Sequence, residues 1–360
     1  MLGTIVALVW ANADRESYIP FAHSIHFLVN DIGMAFFFAL AAKEVVEATA
    51  PGGALHSPRR AAMPLVAAVG GMIGPALIFV TLTIMLDRPN LERGWAIPTA
   101  TDIAFSYLAA RIIFGAKHPA IPFLLLLAIA DDALGLLIIA AFYPTGPLRM
   151  IDFTLFAGAG LLVAGWLANR RVANFWPYIL AGGMLSWIGF YRGGLHPALA
   201  LVPIVPFLPH AGRDPGLFIE ASEKHDTLNE FEHRFKRPVD VMLFFFGLVN
   251  AGVVVGNFGA GTWFVLIAIL VGKPAGILAA TAVAALAGLR LPAHVTWRDM
   301  TVVGIIAGIG FTVALFFATA AFPYGRLLDE TKMGALLSFG AFFIGLAAAR
   351  LLKVGRHPRP

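Results

Sequence analysis

Two adjacent carboxylates lie inside a continuously apolar stretch of this sequence. Asp131 and Asp132 belong to LAIADDALGLLIIAAF, which runs from Leu127 to Phe142 with no basic residue beside them. Burial and a neighbouring like charge both favour the protonated form of a carboxyl group. Ionised carboxylates also supply the hard oxygen ligands that small cations prefer. The pair therefore predicts a site at which a proton and a small cation compete.

The two acids cannot chelate a cation as one face of a helix. Neighbouring residues on an α-helix point about 100° apart. One of Asp131 and Asp132 can then point into a cavity while the other faces a neighbouring helix. A contrasting interpretation is a pair at a helix end in contact with water, but the apolar flanks on both sides argue against it.

Lys273 and Asp102 are further charges placed within apolar segments. A charge at the centre of a membrane span costs at least ~2.5–3.5 kcal/mol, so such residues are usually paired or functional. Lys273, in IAILVGKPAGILAA, is the natural counter-charge for one aspartate, although a lysine can also extend its ammonium group to the interface. Asp102 follows PTAT and either compensates helix-end dipoles or ligates the cation together with Thr101.

The composition indicates a membrane protein. Apolar residues make up 59% of the chain and charged residues 13%, and the mean hydropathy is +0.80. A typical soluble domain carries about a quarter charged residues. Continuous apolar runs of about 20 residues suit helices that cross a bilayer, whereas membrane barrels alternate polar and apolar residues. The net charge of +5 is explained by loops that orient the chain rather than by a nucleic-acid surface.

The predicted fold is an all-α membrane protein with about twelve transmembrane helices. We treat residues 1–360 as a single polytopic domain, with a cytoplasmic loop at about 210–237. The loop of 210–237 and the same-side loops carry most of the lysine and arginine, which predicts that both termini are cytoplasmic. The predicted segments are 1–12, 25–48, 61–86, 95–114, 119–143, 152–168, 174–191, 194–209, 238–256, 262–287, 300–322 and 332–352.

The fourth and eleventh segments do not have the sequence of continuous helices. The fourth contains Pro98, which removes a backbone donor. The eleventh contains Gly308 and Gly310 just before Thr312, and clustered glycines lower the cost of unwinding. Interrupted helices at corresponding positions of two halves indicate a transporter site. We therefore predict an inverted repeat with two crossing discontinuous helices, the middle members of core spans 3–5 and 10–12.

Other classes of membrane protein fit the sequence less well. A potassium-type filter and a ring of acids are both missing from the sequence, which argues against a cation channel. A DDxxD diphosphate site fails because Gly135 occupies the last acidic position, and HExxH does not occur. The sequence therefore predicts a secondary transporter that is not an enzyme. A sodium-coupled carrier of another solute and a cation channel remain the alternatives.

Several of these motifs together resemble the NhaA family of sodium/proton antiporters. The resemblance covers nearly the whole chain, and the motifs occur in the family's order. They are VNDIGMAFFF, AVGGMIGPAL, WAIPTATDIAF, LAIADDALGLLIIAAFY, FGLVNAGV, GKPAGI and GIGFT. The resemblance implies electrogenic exchange of one Na+ or Li+ for two H+.

The resemblance also implies roles for the buried residues. Asp132 is implied as the principal Na+ ligand and proton carrier, and Asp131 as the second essential carboxylate, paired with Lys273. Asp102 and Thr101 are implied to lie where the discontinuous helices cross. The backbone of the second discontinuous helix is implied at Gly308, Gly310 and Thr312.

A second group of residues resembles the family's pH-sensing region. Glu232 and His233 in FEHRF match its acidic and histidine positions, Glu47 matches another acid, and His196 in GGLHPAL matches a histidine linked to the pH response. The chain departs from the family at Lys43, which occupies the place of an acid at the cytoplasmic mouth. Lys43 therefore leaves the pH profile open, but not the exchange chemistry.

The resemblance also implies which partners the protein has and where it is located. The partners are Na+, Li+, H+ and the lipid bilayer, with no cofactor and no nucleic acid. The expected location is a bacterial inner membrane. The connection at 13–24 is too short for the extracellular β-hairpin that joins dimers in the family, so a homodimer would need other contacts.

Overall fold

The structure is a computed structural model that describes residues 1–210, 226–322 and 324–355, without the side chains of Arg59 and Arg60. Every regular element in this part of the chain is helical, which confirms the all-α prediction. The helices are α1 Leu2–Ala13, α2 Arg15–Thr49, α3 Pro58–Met85, α4 Ile103–Phe114, α5 Ala120–Phe142, α6 Met150–Asn169, α7 175–193, α8 Thr227–Asn250, α9 Ala260–Leu286, α10 Trp297–Ala307, α11 Phe311–Ala321 and α12 Arg326–Leu352.

Several of the long helices contain local departures from α geometry. A π-helical turn interrupts each of α2, α7 and α9, at Leu28–Gly33, Tyr178–Gly183 and Ala268–Gly272. Such turns are rare and often lie at functional positions. Helix α12 contains a turn at 338–339, between its α-helical parts Arg326–Leu337 and Gly340–Leu352.

The membrane prediction is supported by the lengths and compositions of the helices. Within the described residues, six helices are long and apolar enough to cross a membrane, and the bent pair α10–α11 makes a seventh if it is one span. The chain is thus a multi-pass membrane protein. The count of about twelve spans stays a prediction, because Leu2–Ala13 and Ile103–Phe114 are apolar but shorter.

Two of the predicted segments differ from the structure in detail. Residues 194–209 form turns and two short 3-10 helices, Pro197–Leu199 and Val205–Phe207, rather than one helix. The prolines of LHPALALVPIVPFLP explain this, because each removes a backbone donor and clashes with the preceding turn. The predicted loop at 210–237 is helical from Thr227 onward, where Asp226 caps α8 by accepting a hydrogen bond from the Asn229 backbone. Residues 211–225 lie outside the described part.

The chain divides into two compact units, which we describe separately. Unit one comprises Met1–His56 and Leu136–Gly252. Its core is aromatic and aliphatic, with Tyr178, Phe231 and Phe175 fully or almost fully buried. Asn30 of α2 and Asn250 of α8 exchange side-chain hydrogen bonds of 3.1 and 2.8 Å inside this unit. This reciprocal amide pair fixes the register of α2 against α8.

Unit two comprises Ser57–Gly135 and the chain from Val253 onward. Its helices α3 and α9 approach closely through small residues. A Cβ atom on Gly70 or Gly276 would collide with the other's backbone, and Gly74 lies equally close to Gly272. Small residues four apart let membrane helices pack backbone to backbone. This contact determines where Lys273 of α9 can lie.

The two interrupted segments predicted from the sequence are interrupted in unit two. The fourth consists of the 3-10 helix Pro89–Thr99, an extended stretch at Ala100, and α4. The eleventh consists of α10 and α11, which are bent by 48° across the break. Pro98 is buried in the last turn of its 3-10 helix, and Gly308 and Gly310 lie in the break.

Candidate cation and proton site

A buried ion pair in unit two joins α5 to α9. Oδ2 of Asp131 lies 2.9 Å from Nζ of Lys273, and the two side chains are 1% and 0% exposed. The Lys273 ammonium also donates a hydrogen bond to the backbone carbonyl of Thr99. Because both charges are removed from water, neither tolerates the loss of its partner.

The backbone around Lys273 explains why the side chain stays buried. The π-helical turn Ala268–Gly272 ends directly before Lys273, and Pro274 follows without a backbone donor. The α-carbon of Gly304 on α10 faces Pro274 so closely that a Cβ there would lie 3.0 Å from the proline Cα. Neighbouring helices therefore enclose this turn, and the ammonium is directed to Asp131 rather than to an interface.

The second carboxylate oxygen of Asp131 is the unusual atom of the site. Its Oδ1 is buried and has no hydrogen-bond partner among the described residues. A buried polar atom left unsatisfied costs about 1–3 kcal/mol, and more when it is charged. Asp132 follows on the same helix and is half-buried. Asp131 thus has one oxygen that pairs with Lys273 and one that accepts no hydrogen bond among the described residues.

Asp102 has both of its carboxylate oxygens committed to helix ends. Its Oδ1 accepts a hydrogen bond from the Phe105 backbone at 3.3 Å and so caps α4. Its Oδ2 accepts one from the Thr312 backbone at 3.2 Å, at the start of α11. A carboxylate at a helix N-terminus is favoured by the orphan N–H groups and by the helix dipole. One side chain therefore compensates two N-termini.

The opposite end of the break, at the C-terminus of α10, is satisfied from the fourth segment. Thr101 Oγ1 donates to the Ala307 carbonyl and Ser106 Oγ to the Ile306 carbonyl, both at 3.0 Å. The Asp102 backbone donates to the Ile309 carbonyl at 2.6 Å. The last carbonyls of a helix otherwise lack partners. The two broken segments thus complete each other's hydrogen bonds.

The structure brings the predicted residues into two adjoining clusters. Asp131 and Lys273 form the first, and Asp102, Thr101 and the 308–312 backbone form the second. The stretch 99–102, which begins at the last residue of the 3-10 helix, belongs to both. The Thr99 carbonyl accepts from Lys273, and the next residues bind the break. Among the described residues, no group of three or more His, Cys, Asp or Glu could hold a metal ion. A cation here would need oxygens from two acids together with backbone or water.

Three of the predicted pH-sensing residues, Lys43, Glu47 and Glu232, meet in unit one. The Lys43 Nζ lies 2.5 Å from Glu47 Oε1 and 2.6 Å from Glu232 Oε2, with Glu44 Oε1 at 3.8 Å. Lys43 is buried, and Glu232 comes from α8 whereas the other acids come from α2. We call Lys43, Glu44, Glu47 and Glu232 the Lys43 cluster. It is an ion-pair network that holds two helices together.

The two predicted histidines occupy different surroundings. His233 is exposed on α8 beside Glu232. His196 is buried, and its Nδ1 accepts a hydrogen bond from the Ala198 backbone at the start of the turn Pro197–Leu199. None of the described contacts links either histidine to the ammonium group of Lys43.

Comparison with known proteins decides the family. The family model Na+/H+ antiporter 1 matches residues 1–351. The chain is 48% identical to the Na(+)/H(+) antiporter NhaA of Geobacter metallireducens, over 99% of this chain and 96% of that protein. It is 47% identical to the Na(+)/H(+) antiporter NhaA of Desulfitobacterium hafniense strain DSM 10664 / DCB-2, over 98% and 93%. The chain belongs to the Na+/H+ antiporter 1 family.

A solved structure shows that the fold is shared more widely. The sodium proton antiporter MjNhaP1 from Methanocaldococcus jannaschii aligns with a TM-score of 0.61, over 98% of this chain and 92% of that chain. The identity is only 16%, so this likeness concerns the fold alone. The resemblance to the NhaA family seen in the sequence is thereby confirmed by the family model and the relatives.

Sequence reasoning missed several groups that contact the predicted residues. Glu44 could have been found, because it lies three residues before Glu47 in KEVVE and therefore on the same helix face. Ser106 and Ser338 gave no signal, since an isolated serine in an apolar helix is common. The Thr99 carbonyl is a backbone group, and no side-chain motif marks it.

Proposed function

We propose that this antiporter exchanges cytoplasmic Na+ or Li+ for external H+ at Asp131 and Asp132. The observation that carries the proposal is the buried Oδ1 of Asp131, which has no hydrogen-bond partner among the described residues. A buried carboxylate oxygen of this kind is stabilised when it gains a proton or a cation. Occupation by one excludes the other, and this competition is what couples the two fluxes.

In this proposal the two aspartates have distinct tasks. Asp132 is the principal cation ligand and proton carrier, because it is only half-buried and can exchange ions with water. Asp131 contributes its free oxygen while Lys273 balances its charge at 2.9 Å. Exchange is electrogenic, with two protons for each Na+, and it proceeds by alternating access to the buried acids.

Asp102 acts in this scheme as a dipole compensator rather than as a ligand. Both of its oxygens already accept backbone hydrogen bonds, at 3.3 and 3.2 Å. These two donors lie at positive helix ends and already compensate the charge of the carboxylate. Thr101 likewise has its hydroxyl proton committed to the Ala307 carbonyl. The pair holds the two broken segments, which we propose to cross as members of an inverted repeat.

The proposal extends to topology, regulation and setting. About twelve spans, with both termini in the cytoplasm, place the Lys43 cluster at the cytoplasmic mouth, where it gates exchange according to pH. His196 and His233 belong to this regulation. The setting is a bacterial inner membrane, and neither a cofactor nor a β-hairpin dimer contact is required.

Exchange in inside-out vesicles tests the proposal. The vesicles are first acidified inside, and Na+, Li+ or K+ is then added while the pH gradient is recorded from mildly acidic to mildly alkaline pH. We expect Na+ and Li+ but not K+ to dissipate the gradient, and Asp132→Asn to abolish the response. Asp152→Asn is the matched control, because Asp152 lies on α6 near Arg192, 3.9 Å away and partly exposed.

The outcomes separate the proposal from its alternatives. Cation flux that runs downhill without proton movement indicates a channel. Na+ movement that requires an added organic solute indicates a sodium-coupled carrier. Wild-type exchange by Asp132→Asn, with Asp152→Asn equally active, would remove Asp132 from the mechanism.

A further inference from the structure

The start of α11 is held by a side chain that lies outside both broken segments. The Gly310 and Phe311 backbones each donate a hydrogen bond of 3.3 Å to Oγ of Ser338. Ser338 lies on α12 and is completely buried. Gly310 precedes α11 and carries no side chain of its own with which to cap it.

The hydroxyl group of Ser338 is used to its full capacity. A serine hydroxyl has one donor and two acceptor lone pairs. Ser338 donates its proton to the Ala335 carbonyl at 2.6 Å, and its two acceptor positions receive the Gly310 and Phe311 backbones. The donated bond fixes the direction of the lone pairs, so the hydroxyl cannot rotate away from the break.

The location of Ser338 in α12 explains how the hydroxyl reaches the break. Residues 338–339 form the turn between Arg326–Leu337 and Gly340–Leu352. Ser338 and Phe339 keep right-handed helical dihedral angles, and the Ser338 N–H still donates to the Gly334 carbonyl at 3.1 Å, so α12 continues through this turn. The turn of α12 and the break between α10 and α11 meet at one hydrogen-bonded point.

Ser338 and Asp102 divide the N-terminus of α11 between them. Ser338 accepts from Gly310 and Phe311, and Asp102 accepts from Thr312. Three successive donors at the positive end of the helix are thus satisfied by one neutral and one ionisable group. Without Ser338, Asp102 is the one remaining side chain among the described residues that accepts a hydrogen bond from this helix end.

This cap is connected to the cation site through the backbone. A Cβ atom on Gly310 would lie 3.0 Å from the Ala100 carbonyl, so the break rests directly against the stretch 99–102. In the same stretch, the Thr99 carbonyl accepts a hydrogen bond from Lys273, which pairs with Asp131. The Gly310 backbone and the Lys273 ammonium therefore contact the same short stretch of chain.

We propose that Ser338 is a positioning residue for cation binding, which sets the N-terminus of α11 and, through residues 99–102, the Asp131–Lys273 pair. The inference rests on the proposed function of that pair. Loss of the hydroxyl leaves two buried donors that compete for Asp102 or move the break. Either response weakens binding of the cation in its ground state, while every ion-exchanging group is still present.

The test uses the full-length protein in proteoliposomes. Ser338→Ala removes the acceptor, and Ser338→Cys keeps its approximate volume with a weaker one. Thr331→Val is the matched control, because Thr331 is also buried on α12 but its hydroxyl bonds only to its own helix, at Leu327 and Leu328. The apparent KM for Na+ and the maximum rate are measured at several pH values, and folding is checked by thermal unfolding.

The expected result is a split between KM and rate. Ser338→Ala raises the apparent KM for Na+ about tenfold, the equivalent of one hydrogen bond of about 1.4 kcal/mol, with a nearly unchanged maximum rate. Ser338→Cys gives an intermediate KM, and Thr331→Val behaves as the wild type. A purely structural role would lower the amount of folded protein without raising KM.

Other outcomes overturn the inference. It is wrong if Ser338→Ala folds and keeps the wild-type KM, or loses rate alone. It is also wrong if both Ser338 variants fail to fold while Thr331→Val folds, since Ser338 is then only a determinant of the fold. Absence of exchange by the wild type contradicts the proposed function instead, which keeps the two failures distinct.

Discussion

The Asp131–Lys273 pair should show strong energetic coupling in a double-mutant cycle. The perturbations are Lys273→Met, Asp131→Asn and the double variant, each similar in volume to the residue it replaces. The structure places the two charges 2.9 Å apart with side-chain exposures of 0% and 1%, so neither can recover its solvation when the partner is lost. The cycle therefore measures a pair rather than two independent sites.

The magnitude follows from burial. Removing one partner of a buried ion pair costs about 3–5 kcal/mol, because the remaining charge is left uncompensated. Lys273→Met also strips the Thr99 carbonyl of its donor, which adds about 1 kcal/mol. The double variant contains no uncompensated charge. We expect it to be more stable than the sum of the single changes predicts by about 3 kcal/mol.

The free energy of unfolding can be measured in mixed micelles by titration with a denaturing detergent. Tryptophan fluorescence reports the transition. Lys332→Met combined with Asp131→Asn is the control, because Lys332 is also buried in unit two and forms no described ion pair with Asp131. Energies for Lys273 and Asp131 that add to within about 0.5 kcal/mol would refute the buried pair.

Further predictions concern the surroundings of the pair. Asp102→Asn keeps the shape but removes the charge at two helix N-termini. We expect about 1–2 kcal/mol lower stability in the same titration, and a larger loss at low salt, where the helix dipoles are less screened. Lys43→Met leaves three acids without their shared cation, so exchange in vesicles should respond to a different pH range, whereas Arg192→Met should leave that range unchanged. Gly276→Leu should abolish folding seen by size-exclusion chromatography, because its Cβ would collide with Gly70, whereas Gly158→Leu should not.

The buried charges could be predicted because membranes penalise them. Asp131, Lys273 and Asp102 were recognisable as candidates from their apolar flanks alone, and the pairing of Lys273 with an aspartate followed from the need for a counter-charge. The breaks near Pro98 and Gly308 could also be predicted, since proline removes a backbone donor and clustered glycines favour unwinding of a helix.

Contacts between distant segments could not be predicted in the same way. Ser338 meets Gly310 only because a turn in α12 lies beside the break, and the sequence contains no pattern that joins the two. The segment 194–209 was read as a span because its apolar content outweighed its prolines, although local proline chemistry decided its structure. Hydropathy indicates whether a segment lies in an apolar environment or in water, whereas backbone donors and acceptors determine its conformation.

The same distinction bears on Lys43, the departure from the family's acidic mouth. From the sequence alone, a lysine in place of an acid leaves the pH profile open. In the structure its ammonium lies within 2.6 Å of two carboxylates and is buried among them, so these carboxylates neutralise its charge. Glu44 adds a third carboxylate at 3.8 Å, and the Lys43 cluster therefore carries more negative than positive charge when all its members are ionised. At the proposed cytoplasmic mouth this charge would favour an entering cation, and the lysine holds acids of two helices together.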